Sequence, residues 1–327
     1  MGDYRWAVIG AGKIARTMVS DMLGAGIAVT AVAARDLARA QAFATELGLA
    51  KAYDSYQEIV DDPEVDIIYV ATPQAMHRDN ALLAIRSGKH VLVEKSFALN
   101  AMQAEEVRQA AVDAGVFVQE AMWTRFLPMH LRLAEILDSG LIGRPTRLVV
   151  DFSRKFEGEL RERLRLPELG AGALLDIGVY PVAFANMVFG APSAISASGT
   201  LDSLGVDLAA TVEFGYESGA TAKFEYSMLE EKGVEATIEC ERGRIEIATP
   251  WFEQTTFEVF DDSGGLIETY SARDFAGRGM QFQALDLEQR LSAGLRDSEL
   301  IPMAETVEIM GIMDEIRRQI GVRYPGE

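Results

Sequence analysis

The sequence predicts an α/β protein: an N-terminal parallel sheet with helices on both faces, followed by an α+β domain with an open, mainly antiparallel sheet. Short apolar strands alternate with helical segments in residues 1–121, and this order builds a parallel sheet. Several of these strands are apolar at consecutive positions, as strands buried on both faces are. From residue 122 to 327 the pattern becomes rich in alternating strands and hairpin turns, which indicates antiparallel pairing.

The first predicted domain contains five strands with helices between them. The strands are expected at residues 5–9, 28–33, 67–71, 90–93 and 116–118. The helices are expected at residues 37–47, 76–86 and 101–114, followed by the glycines 48, 88 and 115. Glycine is the common residue just after a helix end because it accepts a left-handed backbone.

The second predicted domain begins with a helix at residues 129–139 and a strand after Pro145. A largely apolar helix follows at residues 173–189, and strands fill residues 194–271. The turns between these strands are indicated by the sequences at residues 217–219, 242–243 and 261–265. Helices at residues 280–294 and 303–320 end the chain. Because no long linker separates the two domains, we expect them to abut.

The segment Gly10-Ala11-Gly12-Lys13-Ile14-Ala15 has the spacing G-x-G-x-x-A between the first strand and a helix. The first glycine permits the tight turn, the second lets backbone N–H groups approach a pyrophosphate, and the small alanine lets helix and strand pack closely. The helix N-terminus adds partial positive charge. The pattern therefore predicts a Rossmann domain that binds a dinucleotide through Gly10, Gly12, Lys13 and Ile14; the alternative is a chance glycine-rich turn.

The end of the second strand favours NADP over NAD as the cofactor. NAD-binding domains usually place Asp or Glu there to accept from the ribose 2′-hydroxyl. Here the strand ends Ala33-Ala34-Arg35, and a guanidinium pairs well with a 2′-phosphate. Arg39 lies one helical turn later and can add charge on the same face. Asp36 opposes this assignment, but it is well placed to cap the helix that begins at residue 37.

Two further segments combine charged or phenolic groups with apolar surroundings. The strand at residues 90–93 delivers Glu94 and Lys95 to its carboxyl end, the edge where open α/β sheets bind ligands; the alternative is a surface ion pair.

Asp176 and Tyr180 are four residues apart in an apolar helix and would share one face. Burying them without partners is costly, so we expect a cleft; the alternative is a hydrogen-bonded core tyrosine with a helix-capping aspartate.

In this order, these motifs resemble the glucose–fructose oxidoreductase/inositol dehydrogenase (Gfo/Idh/MocA) family, over essentially the whole chain. Within it, the sequence is most similar to the NADP-dependent dimeric dihydrodiol dehydrogenases and D-xylose 1-dehydrogenases. The strings that carry this narrower similarity are Ala33-Ala34-Arg35-Asp36, Glu120-Ala121-Met122-Trp123-Thr124-Arg125-Phe126, Ala173-Leu174-Leu175-Asp176-Ile177-Gly178-Val179-Tyr180 and Gly279-Met280-Gln281-Phe282.

The resemblance implies that Lys95 lies beside the nicotinamide and the reacting hydroxyl, and that Asp176 and Tyr180 line the substrate side. It also assigns Thr72, His77 and Glu94 to cofactor binding and Trp123 and Arg125 to the substrate. An exposed helix histidine and a core tryptophan are the alternatives for His77 and Trp123. The chain departs from the family at Ser96, where proline is usual; without the fixed proline φ, the backbone beside Lys95 can differ.

The resemblance and the residues together predict an NADP-dependent oxidoreductase acting on a cyclic polyol, such as an aldose like D-xylose or a trans-dihydrodiol. Hydride transfer from a hydroxyl-bearing carbon needs a base for the hydroxyl proton. Tyr180 is the favoured base, because a nearby Lys95 ammonium would favour the phenolate, with Asp176 orienting Lys95 or binding substrate hydroxyls. Lys95 as the proton carrier is the close rival. The alternative functions are NADPH-dependent reduction of a sugar-derived ketone and a non-catalytic NADP-binding sensor.

Composition narrows the partners to small molecules. The net charge of −19 argues against nucleic acid and anionic membranes, and no uninterrupted apolar run reaches the about 20 residues that span a bilayer. Cys240 is the single cysteine and there are three histidines, which disfavours disulfides and a zinc site. With no signal-peptide pattern, we expect a cytoplasmic protein.

An open sheet with an uncovered apolar face, together with the family likeness, suggests a homo-oligomer, most simply a dimer.

Overall fold

The structure, a computed structural model, describes residues 4–272 and 274–325. The chain falls into two compact units. Unit 1 contains the described residues up to Phe126 together with Phe275–Val307, and unit 2 contains those of Leu127–Asp274 and from Glu308 onward. The sequence predicted one crossing, between residues 121 and 122, whereas the chain crosses between the units three times.

Unit 1 is built on a six-stranded sheet in the order β3-β2-β1-β4-β5-β6, with every neighbouring pair parallel. The strands are β1 (Trp6–Ile9), β2 (Val29–Ala33), β3 (Lys51–Tyr53), β4 (Ile67–Val70), β5 (His90–Glu94) and β6 (Val118–Ala121). The order reverses between β1 and β4, and ligands bind at such a switch point, beyond the carboxyl ends of the strands. The predicted α/β class and parallel sheet are confirmed.

The helices of this sheet are α1 (Lys13–Gly24), α2 (Leu37–Leu47), α3 (Tyr56–Asp61), α4 (His77–Arg86) and α5 (Ala101–Ala114). Their ends follow local sequence signals: Asp36 caps α2 and Asn100 caps α5 through side-chain oxygens. The short strand β3 was not predicted. β6 begins two residues later than expected because the Val116 N–H still donates to Ala111 O at the end of α5.

Unit 2 contains an eight-stranded sheet in the order β14-β13-β12-β11-β7-β10-β9-β8. The strands are β7 (Pro145–Ser153), β8 (Ala194–Leu201), β9 (Asp207–Gly215), β10 (Thr221–Ser227), β11 (Ala236–Cys240), β12 (Gly243–Ile247), β13 (Phe257–Asp261) and β14 (Leu266–Tyr270). Only β7 and β10 pair in parallel among these described strands. The predicted open, mainly antiparallel sheet is therefore confirmed.

The two faces of this sheet differ in polarity. Leu148, Val212 and Phe224 alternate inward and are buried, whereas their neighbours Glu213 and Lys223 are exposed on the other face and form an ion pair at 3.0 Å. The uncovered face is therefore largely polar, and the expectation that it would be apolar is wrong. Alternation along β9 and β10 placed charged residues outward, so the polarity of this face gives no argument for association.

The helices of unit 2 are α6 (Pro128–Ser139), α7 (Gly158–Arg163) and α8 (Val179–Phe189). One π-helical turn, Leu174–Gly178, leads directly into α8; we call it the π-turn. Residues Pro167–Phe189 are long and apolar enough to cross a membrane by length and composition, but 72% of their most apolar part is buried inside the protein. This burial is typical of a core helix.

The segment Phe275–Val307 returns to unit 1 with α9 (Gln281–Ser292) and the start of α10 (Met303–Ile320). The Trp6 indole donates to Glu288 Oε1 at 2.8 Å, which ties α9 to β1. Asp21 on α1 accepts the N–H groups of Arg278 and Met280 at 2.9 and 3.1 Å. The helical pattern of these residues was readable, but periodicity does not reveal which sheet a helix packs against.

Candidate active site

The glycine-rich loop after β1 is closely fitted to its surroundings. Gly10 has φ +110°, and a Cβ there would lie 2.5 Å from Ala71 O, so only glycine fits. Gly12 is the extended residue before α1, and the first bond of the helix runs from the Arg16 N–H to Gly12 O at 3.1 Å. The N–H groups of residues 13–15 thus precede the hydrogen-bond ladder at the positive end of α1. This arrangement fits a dinucleotide pyrophosphate.

Two arginines, Arg35 and Arg39, follow the end of β2. The Arg39 guanidinium donates to Ala11 O in the glycine-rich loop at 3.2 Å. Asp36 accepts the Arg39 backbone N–H at 2.8 Å, so its predicted capping role is confirmed. Burial raises the pKa of Tyr56, while the Arg35 and Arg39 guanidinium groups nearby oppose that rise. Of the residues predicted here for cofactor binding, Ala34 is buried, Ile14 is half-buried, and Lys13, Arg35 and Arg39 are exposed.

His77 joins the loop after β4 to the loop after β5. Its Nδ1 lies 2.9 Å from Ser96 O and its Nε2 lies 2.8 Å from Thr72 O. The ring is 1% exposed, so the alternative of an exposed helix histidine is wrong. Burial lowers the pKa of His77, and the two carbonyl groups only partly oppose this. His77 therefore holds together two loops at the carboxyl edge of the sheet.

Glu94 and Lys95 are not a surface ion pair. The Glu94 carboxylate is 4% exposed and accepts the Tyr69 hydroxyl at 2.5 Å and the Lys95 backbone N–H at 3.2 Å. Lys95 is half-buried. Ser96, which stands where the family usually has proline, follows a cis peptide bond. The structure thus brings Thr72, His77, Glu94 and Lys95 into one hydrogen-bonded region of unit 1.

Glu120 on β6 is a buried acid behind this region that the sequence analysis did not assign to the site. Its Oε1 accepts the Phe97 N–H and its Oε2 accepts the Thr306 hydroxyl, both at 3.2 Å. Burial raises the pKa of Glu120 to about 7, and the negative charges of Glu305 and Glu94 add to the rise. An acid two residues after the apolar strand predicted at residues 116–118 was the signal available in the sequence.

The two predicted substrate residues after β6 are both engaged within unit 1. Trp123 is 3% exposed, with the Arg278 guanidinium 5.4 Å from its ring centroid. The Arg125 guanidinium contacts Glu305 Oε1 and Leu300 O, each at 2.6 Å. These contacts give both side chains defined positions, and their contact with substrate stays a prediction. The position of Arg278 was not predicted, because nothing local connects it to β6.

In unit 2 the structure places Asp176 inside the π-turn and Tyr180 at the second residue of α8. The sequence predicted a regular helix over residues 173–189. The Asp176 N–H donates to Gly172 O at 3.2 Å. Tyr180 is 8% exposed, and its ring lies 5.3 Å from Phe152 and 5.6 Å from Phe252. Asp176 therefore lies within the turn and not at its cap, and Tyr180 stands against an apolar wall.

Comparison with family models identifies both parts of the chain. Residues 4–122 match the model described as an oxidoreductase family with an NAD-binding Rossmann fold. Residues 130–246 match the model of the GFO/IDH/MocA C-terminal domain. Together these matches cover most of the chain.

Individual relatives match over nearly the whole length. The chain is 34% identical to trans-1,2-dihydrobenzene-1,2-diol dehydrogenases of Xenopus tropicalis and Mus musculus, with 98% of this chain and 98–99% of theirs covered. Two solved structures share the fold. A 3-ketoreductase from Actinomadura kijaniata in complex with NADP has a TM-score of 0.85 and 23% sequence identity, with 97% of this chain and 98% of that chain covered. An aldose–aldose oxidoreductase from Caulobacter crescentus complexed with glycerol has a TM-score of 0.86 and 21% identity, with 97% of both chains covered. The chain therefore belongs to the Gfo/Idh/MocA oxidoreductase family and is an NAD(P)-dependent dehydrogenase.

Proposed function

We propose that the protein is an NADP-dependent dehydrogenase that oxidises a hydroxyl-bearing carbon of a cyclic polyol, an aldose such as D-xylose or a trans-dihydrodiol. The observation that carries the cofactor choice is the end of β2. Arg35 and Arg39 lie there, and the one acid in the loop, Asp36, is engaged in capping α2. Guanidinium groups recognise a 2′-phosphate, which a free carboxylate would repel.

The residues of the glycine-rich loop would hold the cofactor. Gly10 and Gly12 let the backbone approach the pyrophosphate, and the N-terminus of α1 supplies its N–H groups. Arg35 and Arg39 would bind the 2′-phosphate. When bound, the nicotinamide supplies the hydride-accepting carbon of the reaction.

Tyr180 is proposed to take the proton of the substrate hydroxyl. The pKa of a phenol is ordinarily about 10, so it needs a positive charge nearby to act as a base, and Lys95 supplies that charge in this proposal. Asp176 orients Lys95 or binds substrate hydroxyls. The buried bonds of Glu94 and His77 fix the backbone on both sides of Lys95, which supports a role that depends on the position of its amine. Lys95 as the proton carrier is the rival assignment.

A second candidate is the reverse reaction, NADPH-dependent reduction of a sugar-derived ketone. It is favoured by the structural similarity to the 3-ketoreductase from Actinomadura kijaniata. The same side chains would serve it, because Tyr180 would then donate the proton that the forward reaction removes.

A panel of aldoses, inositols and trans-dihydrodiols with NADP or NAD, together with sugar ketones and NADPH, tests both directions through the absorbance of reduced nicotinamide. We expect turnover of at least one polyol class, with kcat/KM for NADP above that for NAD. Saturation only in the ketone direction would support the second candidate. Tight NADPH binding without turnover of any compound would overturn both and indicate a non-catalytic sensor.

The place and assembly of the protein are part of the proposal. We propose a cytoplasmic homodimer that binds neither nucleic acid nor membrane. The support is the net charge of −19, which opposes anionic partners, and the similarity to dihydrodiol dehydrogenases. Sedimentation of the purified protein checks the dimer directly.

A further inference from the structure

Asp207, the first residue of β9, is a buried acid that the proposed mechanism does not use. Its side chain is 0% exposed, and its Oδ2 accepts the Leu174 N–H at 2.6 Å. Its Oδ1 receives no hydrogen bond from the described part of the chain. Burying a carboxyl group costs free energy unless its hydrogen bonds are made. The bond to Leu174, the first residue of the π-turn, is therefore the clearest guide to what this acid does.

The Asp207 carboxyl group also packs directly against Gly172, two residues before the π-turn begins. Gly172 has φ +137°, and a Cβ there would lie 2.2 Å from Asp207 Oδ1. The carbonyl of Gly172 accepts the Asp176 N–H at 3.2 Å. One carboxyl group thus contacts the backbone that leads into the π-turn and the backbone that begins it.

A second buried side chain supports the other end of the π-turn. Tyr226 on β10 is 0% exposed, and its Cε1 lies 3.0 Å from where a Cβ on Gly178 would be. The ring therefore packs closely against the last residue of the turn. Asp207 at the first residue and Tyr226 at the last define the position of the five residues that include Asp176.

Asp207 is itself held by the turn between β8 and β9. Asp202 Oδ1 accepts the N–H groups of Leu204 and Val206 at 2.8 and 3.1 Å, and Asp202 Oδ2 accepts from the Arg165 guanidinium at 2.8 Å. The residue just before Asp207 is thus fixed by hydrogen bonds. Because this turn holds Asp207 in place, its carboxyl group can fix the position of the Leu174 N–H that it accepts.

We propose that Asp207 is a positioning residue, whose carboxyl group holds the π-turn in the conformation that presents Asp176 and Tyr180 to the substrate. The inference rests on the proposed function, in which these two residues act on the substrate. Single π-turns within helices are frequent at functional sites. This one forms the first turn of the helix that continues as α8, and the partner of its first N–H is Asp207.

The test compares Asp207→Ala with Asp207→Asn. Burial raises the pKa of Asp207 to about 7, with the charge of Asp202 adding to the rise and the Leu174 N–H opposing it. Asparagine therefore resembles the neutral acid and keeps an oxygen for the Leu174 N–H. Asp261→Ala is the matched control, because Asp261 accepts the N–H groups of Ser263 and Gly265 in the exposed turn between β13 and β14 of the same unit.

We expect Asp207→Ala to lower kcat at least about tenfold, with the Kd of NADP changed less than twofold, since the proposed cofactor residues lie in unit 1. Asp207→Asn should recover kcat to within about threefold of the unchanged protein. Hydrogen exchange over residues 172–180 should be faster in Asp207→Ala than in Asp207→Asn or Asp261→Ala. If Asp207→Ala does not fold, Asp207→Ser takes its place, because serine is too short to reach the Leu174 N–H.

Equal exchange over residues 172–180 in the alanine and asparagine variants would overturn the inference. So would an Asp207→Asn variant as slow as Asp207→Ala, since it keeps the acceptor. The exchange measurement needs no substrate, so it still decides whether Asp207 holds the π-turn if every compound in the panel fails to turn over. Failure of the proposed function and failure of this inference are thereby distinguished.

Discussion

In unit 1 Lys95 directly follows the carboxyl end of β5, whereas in unit 2 Asp176 and Tyr180 lie in and after a π-turn. β5 is fixed up to its end by hydrogen bonds from both neighbouring strands, β4 and β6. A π-turn has a wider and weaker backbone than an α-helix. Lys95 therefore follows a strand that its own sheet holds, whereas the segment that carries Asp176 and Tyr180 takes its supports from β9 and β10.

Both regions nevertheless place a buried acid beneath the segment that carries the candidate residues. Glu120 accepts the Phe97 N–H, two residues after Lys95, and also the Thr306 hydroxyl. Asp207 accepts the Leu174 N–H, two residues before Asp176. Burial raises the pKa of each acid to about 7. Each acid thus binds backbone two residues away from a candidate residue without being one of the groups proposed to perform the chemistry.

The largest expected effect is the loss of kcat when the proposed base in unit 2, Tyr180, is replaced. Tyr180→Phe should lower kcat by about 10²–10⁴, the usual contribution of a general base, because the phenylalanine ring keeps the contacts with Phe152 and Phe252 but cannot accept a proton. Steady-state kinetics over pH should show that the basic group is lost. The Kd of NADP, measured by fluorescence, should change less than twofold.

Tyr216→Phe is the control for this variant, since Tyr216 is another tyrosine of unit 2, packed against Phe189 at 4.7 Å. Its kcat should match that of the unchanged protein. If Tyr180→Phe keeps kcat and its pH profile while Lys95→Met loses them, the proton carrier belongs to unit 1 and the assignment of the two residues is reversed.

The next effect concerns the buried acid of unit 1. The folded pKa of Glu120, about 7, exceeds its ordinary value of 4.5. The proton is therefore held more tightly in the folded state, and the resulting stability is complete below pH about 4.5 and is lost as the pH rises through about 7. Glu120→Gln should remove this loss, which amounts to roughly 2–3 kcal/mol between pH 5 and 8.

Urea unfolding of both proteins at pH 5 and pH 8 measures the difference. Glu105→Gln is the control, because Glu105 pairs with Arg108 on the surface of α5 in the same unit. Parallel pH dependence in Glu120→Gln and the unchanged protein would show that Glu120 is ionised throughout, and that the two buried acids are not alike.

The smallest effect is confined to unit 1. Arg35→Ala should raise the Kd of NADP about tenfold, the loss of one charge-assisted contact, and leave the Kd of NAD within about twofold. Titration of the protein with each cofactor measures this. Arg16→Ala, which removes a guanidinium paired with Glu46 between α1 and α2, should leave both values unchanged. Equal weakening of NAD and NADP would remove Arg35 from the 2′-phosphate and weaken the choice of NADP.

The features of unit 1 that sequence could predict are those set by residues close together in the chain. The fingerprint at Gly10 and Gly12, the cap at Asp36 and the strand end at Glu94 each follow from local backbone requirements, so spacing alone indicated them. The parallel sheet followed because its buried strands are apolar on both faces. The alternation in β9 and β10 likewise predicted an antiparallel sheet.

The features that were missed depend on residues far apart in the chain. The π-turn depends on Asp207 and Tyr226, which come from later strands, so residues 173–189 read as one regular helix. Glu120 lay just beyond the strand predicted at residues 116–118 and Asp207 lay in a region predicted only as rich in strands, so their partners Phe97 and Leu174 could not be named from spacing. An exposed helix histidine was the alternative for His77, because its helix is short and polar, yet the carbonyl groups of two loops enclose the ring.

The return of Phe275–Val307 to unit 1 has a consequence for biosynthesis. The Trp6 indole and its partner Glu288 are separated by 282 positions in the chain, so Trp6 is translated long before Glu288. Unit 2 is interposed in the chain, so the nascent nucleotide-binding sheet waits without α9 while residues 127–274 are translated. A chain that stops before α9 would therefore lack the partner of the Trp6 indole, so a truncation after the sheet of unit 2 would damage unit 1.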